Sequence, residues 1–362
     1  MPKDTRTPVT ILTGFLGSGK TTLLNRVLRD PAMARTAVVI NEFGDIAIDH
    51  ALTTTSDDAI VVLENGCLCC TVFGDLVQTL NRLYHERERG SIAFDHVAIE
   101  TSGLADLPTV VQAFLSDPTL EGLYRVSAVI TTVDAVNGAG TLTEHSVAVR
   151  QVVLADHLLI TKLDLVAADS RDAARDGLAT RLRQINRTAS IHAANDPTVD
   201  PAKLMRDTGI DPARSPEAAK EWLDRSLAAE SHDHSEDPHA HAHDSSVTSF
   251  SLIREVPVPR EALNLLLTSL ERQLGPSLLR VKGLVNVAEE PNRPAVIQGA
   301  QHLLHNLSWL DEWPDADRRT RIVFITQGIP SAELKETIQL LDRVAQRTAA
   351  ARHRAMAAVT EI

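Results

Sequence analysis

Gly14-Phe15-Leu16-Gly17-Ser18-Gly19-Lys20-Thr21 follows an apolar strand-like run, Val9 to Leu12, and precedes a helix-like run, Thr22 to Leu28. A G-x-x-x-x-G-K-T loop in that setting is a cradle for nucleotide phosphates. The glycines let successive backbone N–H groups curl around a polyphosphate, and a helix start presents further N–H groups to negative charge. Lys20 then reaches the outer phosphates as a point charge, the Thr21 hydroxyl is a Mg²⁺ ligand, and Gly14 through Thr22 form one candidate nucleotide-binding segment.

Outward from this loop, β-like and helix-like stretches alternate. The series runs Val9–Leu12, Thr21–Arg29, Ala37–Asn41, Ile60–Glu64, Asp75–Glu88, Phe94–Glu100, Pro108–Leu115, Val126–Asp134, Leu142–Leu154, His157–Thr161 and Ala173–Arg187. Such alternation predicts an α/β fold, a doubly wound and mostly parallel sheet of the P-loop NTPase kind. Leu76, Val77, Leu80, Leu83 and Tyr84 recur at helical spacing and are read as core. Beyond residue 247, strand-like runs at Thr248–Val256, Leu278–Val287, Ala295–Gln298 and Arg321–Thr326, with a helix over Arg260–Gln273, predict a smaller α+β domain. The expected organisation is a nucleotide domain over 1–228, a His-rich disordered linker over 229–247, the α+β domain over 248–330 and a terminal helix over 331–362.

Composition narrows the partners. The chain has 362 residues, 43% of them hydrophobic, enough for a large core and a second module. Its formal net charge of −12 repels phosphate backbones, which argues against nucleic acid. No apolar run approaches the ~18 residues of a membrane span, so the expected location is the cytoplasm. All three cysteines fall between positions 67 and 70, too close together for a disulfide framework and suited to a reducing compartment.

Two further segments complete a nucleotide site. His96-Val97-Ala98-Ile99-Glu100 is followed by Thr101-Ser102-Gly103, so an acid that holds Mg²⁺ or its water ends the strand. Gly103 then brings its backbone N–H toward a γ-phosphate; Lys20, Thr21, Glu100 and Gly103 are the candidate catalytic set. Thr161-Lys162-Leu163-Asp164, after the apolar Leu158-Leu159-Ile160, has the spacing of a guanine reader. Asp164 would accept from the guanine N1–H and exocyclic amine while the Lys162 stem covers the base, which favours GTP over ATP. Thr161 stands where many GTPases have Asn, which puts the usual bracing of the phosphate loop in question.

Glu64-Asn65-Gly66-Cys67-Leu68-Cys69-Cys70 lies at the start of the helix over Asp75–Glu88. Helix N-terminal N–H groups stabilise thiolates, the form that binds Zn²⁺ or Cu⁺. Cys67, Cys69 and Cys70 supply three sulfurs, one short of a closed tetrahedral site, and an open fourth position suits a site that releases its ion. Small buried cysteines or a redox pair are the alternatives. Glu42, Asp45 and Asp49 follow the second strand and are candidates for either Mg²⁺ or the cysteine-bound metal. His232, His234, His239, His241 and His243 make the linker either a weak metal collector or a solvated spacer.

In that order, GFLGSGKT, NEFGDIAID, ENGCLCC, ETSGLAD and TKLD resemble the CobW-type metallochaperone GTPases. Leu279-Arg280-Val281-Lys282-Gly283 and Ile297-Gln298-Gly299 extend the likeness into the second domain. The resemblance implies weak GTP hydrolysis with GTP/GDP and Mg²⁺, metal ligation by Cys67, Cys69 and Cys70, and transfer of a transition metal to a client metalloprotein. Zn²⁺ is the first expectation and Co²⁺ the second; a metal buffer or sensor is the rival reading, and a homodimer is left open. Three departures stand out. Leu107 occupies the usual place of a proline, Thr326-Gln327 separate the last strand from Gly328, and a client-docking motif before the first strand is not evident.

Overall fold

The computed structural model describes residues 6–40, 60–62, 71–107, 110–111, 114, 117–206, 247–274, 277–300, 303–304 and 307–360. The chain divides into two compact units, Met1–Ile210 and Asp211–Ile362.

In the first unit the elements run β1 (Thr7–Thr13), α1 (Lys20–Val27), β2 (Thr36–Ile40), β3 (Ile60–Val62), α2 (Thr71–Glu88), β4 (His96–Glu100) and α3 (Pro118–Leu123). They continue as β5 (Tyr124–Asp134), α4 (Gly138–Glu144), α5 (Ser146–Leu154), β6 (His157–Thr161), α6 (Arg171–Ile185), β7 (Ser190–Ala193) and α7 (Pro201–Arg206). The strands form one sheet in the order β3-β2-β4-β1-β5-β6-β7. Every pairing in it is parallel. Strands β2, β4 and β6 are buried along their whole length, as expected for a parallel sheet covered by helices on both faces.

A parallel sheet puts all its strand ends on one edge. Ile40 pairs with Val62 on one side and Glu100 on the other, so the carboxyl ends of β3, β2 and β4 are level. Each strand then delivers its following loop to a common rim, where ligands of open α/β sheets bind.

Local chemistry explains several boundaries. Asp117 begins α3 by accepting from the N–H groups of Thr119 and Leu120 at 2.9 and 3.1 Å. Asn186, fully buried after α6, donates to the carbonyls of Val152, Val153 and Ala155 and accepts from Thr188 and Ala189. That one amide ties the ends of α5 and α6 to the entry of β7. The single helix expected over Leu142–Leu154 is two, because the chain turns extended at His145. Strand β7 and the short helices α3 and α7 were not anticipated; each is too brief to show a hydrophobic period.

The second unit contains β8 (Val247–Arg254), α8 (Arg260–Leu274), β9 (Leu278–Val285), β10 (Ala295–Ala300), β11 (Leu303–Leu304), β12 (Ser308–Trp309), β13 (Thr320–Gln327) and α9 (Ser331–Thr360). Its sheet is antiparallel, ordered β11-β10-β9-β13-β8 with β12 on β10. Leu263, Leu266 and Leu270 of α8 and Leu334 and Ile338 of α9 close its core over Val281, Ile297 and Phe324. Strand β13 runs on through Thr326 and Gln327, so Gly328 follows it directly and the apparent insertion is strand. Among the described residues no helix is long and apolar enough to cross a membrane.

Candidate functional site

The phosphate loop leaves β1 at Gly14 and enters α1 at Lys20. Gly19, at φ 93°, caps α1 without any side-chain hydrogen bond, and no acidic residue lies in the first turn. A helix start with no side-chain cap and no acid in its first turn suits an anion. A side chain at Gly14 would meet the Thr132 carbonyl oxygen at 2.5 Å, so only glycine lets the loop pass β5 this closely.

Lys20 is buried, and its ammonium donates to the carbonyls of Gly14 at 3.0 Å and Phe15 at 3.3 Å. It stands inside the ring of its own loop. Thr21 Oγ1 donates to Glu100 Oε1 at 2.6 Å, across 79 positions of sequence. A hydroxyl and a fully buried carboxylate side by side form a hard-oxygen pair of the kind Mg²⁺ prefers. The residues present thus fit the ion that the motifs imply.

After β4 the chain turns tightly, with Ala105 N–H donating to Ser102 O at 3.0 Å. Gly103 packs against the phosphate loop so closely that an added Cβ would lie 2.6 Å from Leu16 N. The sequence brought Gly103 to the site by its spacing from Glu100; the structure adds direct contact with the loop.

On the other flank, Thr161 Oγ1 donates to Ser18 O at 2.7 Å and lies 3.3 Å from Val133 O. The shorter side chain does brace the phosphate loop. Lys162 adopts φ 58°, a left-handed conformation that non-glycine residues rarely hold. Its ammonium is anchored on Asp134 Oδ2 at 2.8 Å. Burial alone would raise the Asp134 pKa, but hydrogen bonds from Lys162, Val136 N–H and Asn137 hold its carboxyl below the usual range. Asp164 is exposed in a short 3₁₀ turn, Leu163–Leu165, whose Asp164 and Val166 carbonyls accept from Arg171. Thr22 is exposed at the start of α1.

The motif reading missed Asp134, Arg171 and Thr132. Asp134 had a signal, an acid at the end of a buried strand like Glu100. Thr132, whose hydroxyl pairs with Ser18 Oγ at 2.7 Å, had none, since only folding brings it to the phosphate loop; Arg171 holds the nearby Asp164 and Val166 carbonyls, a contact that no motif marks.

The metal candidates Cys67, Cys69, Cys70, Glu42, Asp45 and Asp49, and the histidines from His232 to His243, lie outside the described residues. The flanks are described. Strand β3 ends at Val62 and α2 begins at Thr71, directly after Cys70 in the chain. Among the described residues no group of three or more His, Cys, Asp or Glu side chains is placed to hold a metal.

Comparison with known proteins agrees with this architecture. Residues 8–193 match the CobW/HypB/UreG nucleotide-binding domain, and residues 247–341 match the cobalamin synthesis protein cobW C-terminal domain. The chain is 30% identical over 330 residues to the zinc chaperone YjiA of Escherichia coli, covering 90% of this chain and 96% of that one. It is also 30% identical over 315 residues to the zinc chaperone CobW of a Sinorhizobium species, covering 79% and 83%. The crystal structure of Zn(II)-bound YjiA GTPase superposes with a TM-score of 0.68 at 26% identity, over 93% of this chain and 99% of that one. A YjiA variant with one glutamate and two cysteines replaced by alanine is likewise Zn(II)-bound. With its phosphate loop, Thr21–Glu100 pair and second antiparallel domain all in place, the chain belongs to the CobW/HypB/UreG family of nucleotide-binding proteins.

Proposed function

We propose that this protein is a GTP-hydrolysing metallochaperone that binds Zn²⁺ through Cys67, Cys69 and Cys70 and passes it to a client protein under nucleotide control. The observation that carries the nucleotide half is the 2.6 Å contact between Thr21 and Glu100 beside the loop-held Lys20. Names of the relatives, zinc chaperones and a GTPase, support the metal half.

In this reading Lys20 and the first N–H groups of α1 hold the phosphates, while Thr21 and Glu100 hold Mg²⁺. The ion, when bound, neutralises charge on the phosphate oxygens. Gly103 N–H meets the γ-phosphate, and Lys162 and Asp164 select guanine. Thr161 keeps the base-reading turn and the phosphate loop in register. Glu42, in segment 41–59 after β2, is a further ligand for one of the two metals.

Sheet geometry supports coupling between nucleotide and cargo. The ends of β3 and β4 flank β2, two strand spacings or ~10 Å apart, so the chain enters segment 63–70 on the rim that carries Glu100. Thiolate ligation belongs in a reducing compartment, the cytoplasm. Leu16, Leu104, Val136 and Leu165 are exposed on loops at this rim, an apolar surface suited to a client protein.

The deciding experiment titrates Zn²⁺ into the chain bound to GDP and to a non-hydrolysable GTP analogue. Affinities that differ about tenfold or more are expected, with the reciprocal change in nucleotide affinity. Equal affinities would remove nucleotide control. Because the triply substituted relative still binds zinc, the titration must resolve stoichiometry, and Cys67→Ser, Cys69→Ser and Cys70→Ser should each weaken the nucleotide-sensitive site.

A further inference from the structure

Helix α5 touches both nucleotide loops. Just before it, the His145 ring stacks on Phe15 of the phosphate loop, centroids 4.5 Å apart and planes 18° from parallel. Within it, Arg150 Nε donates to Asp106 Oδ1 at 3.1 Å, and Gln151 Nε2 donates to the carbonyls of Gly103 at 3.2 Å and Ala105 at 3.4 Å. Two adjacent helix residues thus hold the turn that follows Glu100.

Gln151 is costly as a packing residue. It is 1% exposed, and its Oε1 is buried without a hydrogen-bond partner. It also lines a cavity of about 120 Å³ behind the phosphate loop, shared with Phe15, Ser18, Thr132 and Asn137. A leucine would fill that space without burying an unmet acceptor, which costs about 1–3 kcal/mol. What the amide supplies instead is a donor on two carbonyls of one turn. Gly103 lies between this donor and Leu16 of the phosphate loop, so its backbone is pinned from both sides.

From this we propose that Gln151 is a positioning residue for GTP hydrolysis: its carboxamide clamps the Gly103–Ala105 turn against the phosphate loop, setting where the Gly103 N–H stands when the γ-phosphate arrives. The proposal rests on the GTPase reading above. Its two bonds lie at the long end of the hydrogen-bond range, so a shift of the turn by a fraction of an ångström tightens or releases them. In this role Gln151 acts through the turn, by its bonds to the Gly103 and Ala105 carbonyls.

The test uses the full chain and steady-state GTP hydrolysis with Gln151→Leu and Gln151→Glu, alongside binding of a fluorescent GDP. Loss of the clamp should lower kcat about tenfold, with KM and GDP affinity within about twofold, since misplacing a reacting group weakens the transition state without weakening ground-state binding. Thr131→Val is the structural control. It removes the 2.9 Å bond from the Thr131 hydroxyl to the Gln151 carbonyl oxygen, which holds α5 to β5 but leaves the carboxamide free to clamp. That variant should melt lower and keep kcat. Should both Gln151 variants fail to fold, Arg150→Ala, which loses the exposed pair with Asp106 and a 3.4 Å bond to Ser146 Oγ within the helix, should lower kcat about two- to threefold at unchanged KM. Gln151 variants with parental kcat, or with KM and GDP affinity weakened in parallel, would overturn the proposal while leaving the GTPase reading intact. A parent chain that binds no guanine nucleotide would overturn both.

Discussion

Thr161 Oγ1 lies 2.7 Å from the Ser18 carbonyl oxygen, joining the end of β6 and the Leu163–Leu165 turn after it to the phosphate loop across 143 positions of sequence. Both atoms are buried, so the bond is shielded from water and its loss leaves an unmet carbonyl in the loop. The position where many GTPases use asparagine is served here by a hydroxyl. Thr161→Val, of nearly the same volume, should lower stability by about 1–2 kcal/mol and weaken GDP binding several-fold. Chemical denaturation and GDP titration measure the two effects, and an unchanged GDP affinity would separate the brace from the nucleotide site.

Thr21 and Glu100 should fail together. If both serve one Mg²⁺, Thr21→Ala and Glu100→Gln will each cut GTP hydrolysis by at least about a hundredfold, and the double variant will cost little more than either alone. Multiplicative losses in that cycle would mean independent roles.

Gly103→Ala places a methyl group against Leu16 N at 2.6 Å and Leu16 Cα at 2.7 Å. One of the two loops must give way. Hydrolysis should fall at least tenfold with a stability loss of about 1–3 kcal/mol. Wild-type turnover in this variant would show that the turn is free to stand off the phosphate loop.

His96 carries a pH signature. Burial first, then the charge of Arg206 and Arg125, lower its pKa from 6.5 to about 4, with Asp95 partly opposing; its Nε2 meets Thr10 Oγ1 at 3.1 Å. Between pH 6.5 and 4 the unfolded chain therefore binds more protons at this site than the native chain, so stability rises with pH and is lost on acidification through that window. The full effect is about 3 kcal/mol. Melting curves of the parent and His96→Gln across pH 4.5–7.5 check it: the variant starts lower at neutral pH and loses less on the way down.

Much of the site was legible before folding, and for a specific reason. Gly14 to Thr21, Glu100 to Gly103 and Thr161 to Asp164 are local motifs, each needing only a buried strand before it, and buried parallel strands are visible as unbroken apolar runs. Helix α4 and helix α5 merged in that reading although the four polar residues Thr143 to Ser146 separate Leu142 from Val147; the extended backbone at His145 divides them there. Strand β7 has only four residues, none fully buried, and shows no pattern to read.

By itself the sequence determined which groups are present and which strand ends carry them: the Gly-rich loop with Lys20, the acid at Glu100, the candidate base reader at Lys162 and Asp164, and three cysteines within four positions. Tertiary structure alone decided the neighbours. The pairing of Lys162 with Asp134, the brace from Thr161 to Ser18 and the clamp from Gln151 to Gly103 join residues 28, 143 and 48 positions apart. No local pattern encodes such distances, because they arise only when parallel strands bring their carboxyl ends to one rim and the helices between them close over it.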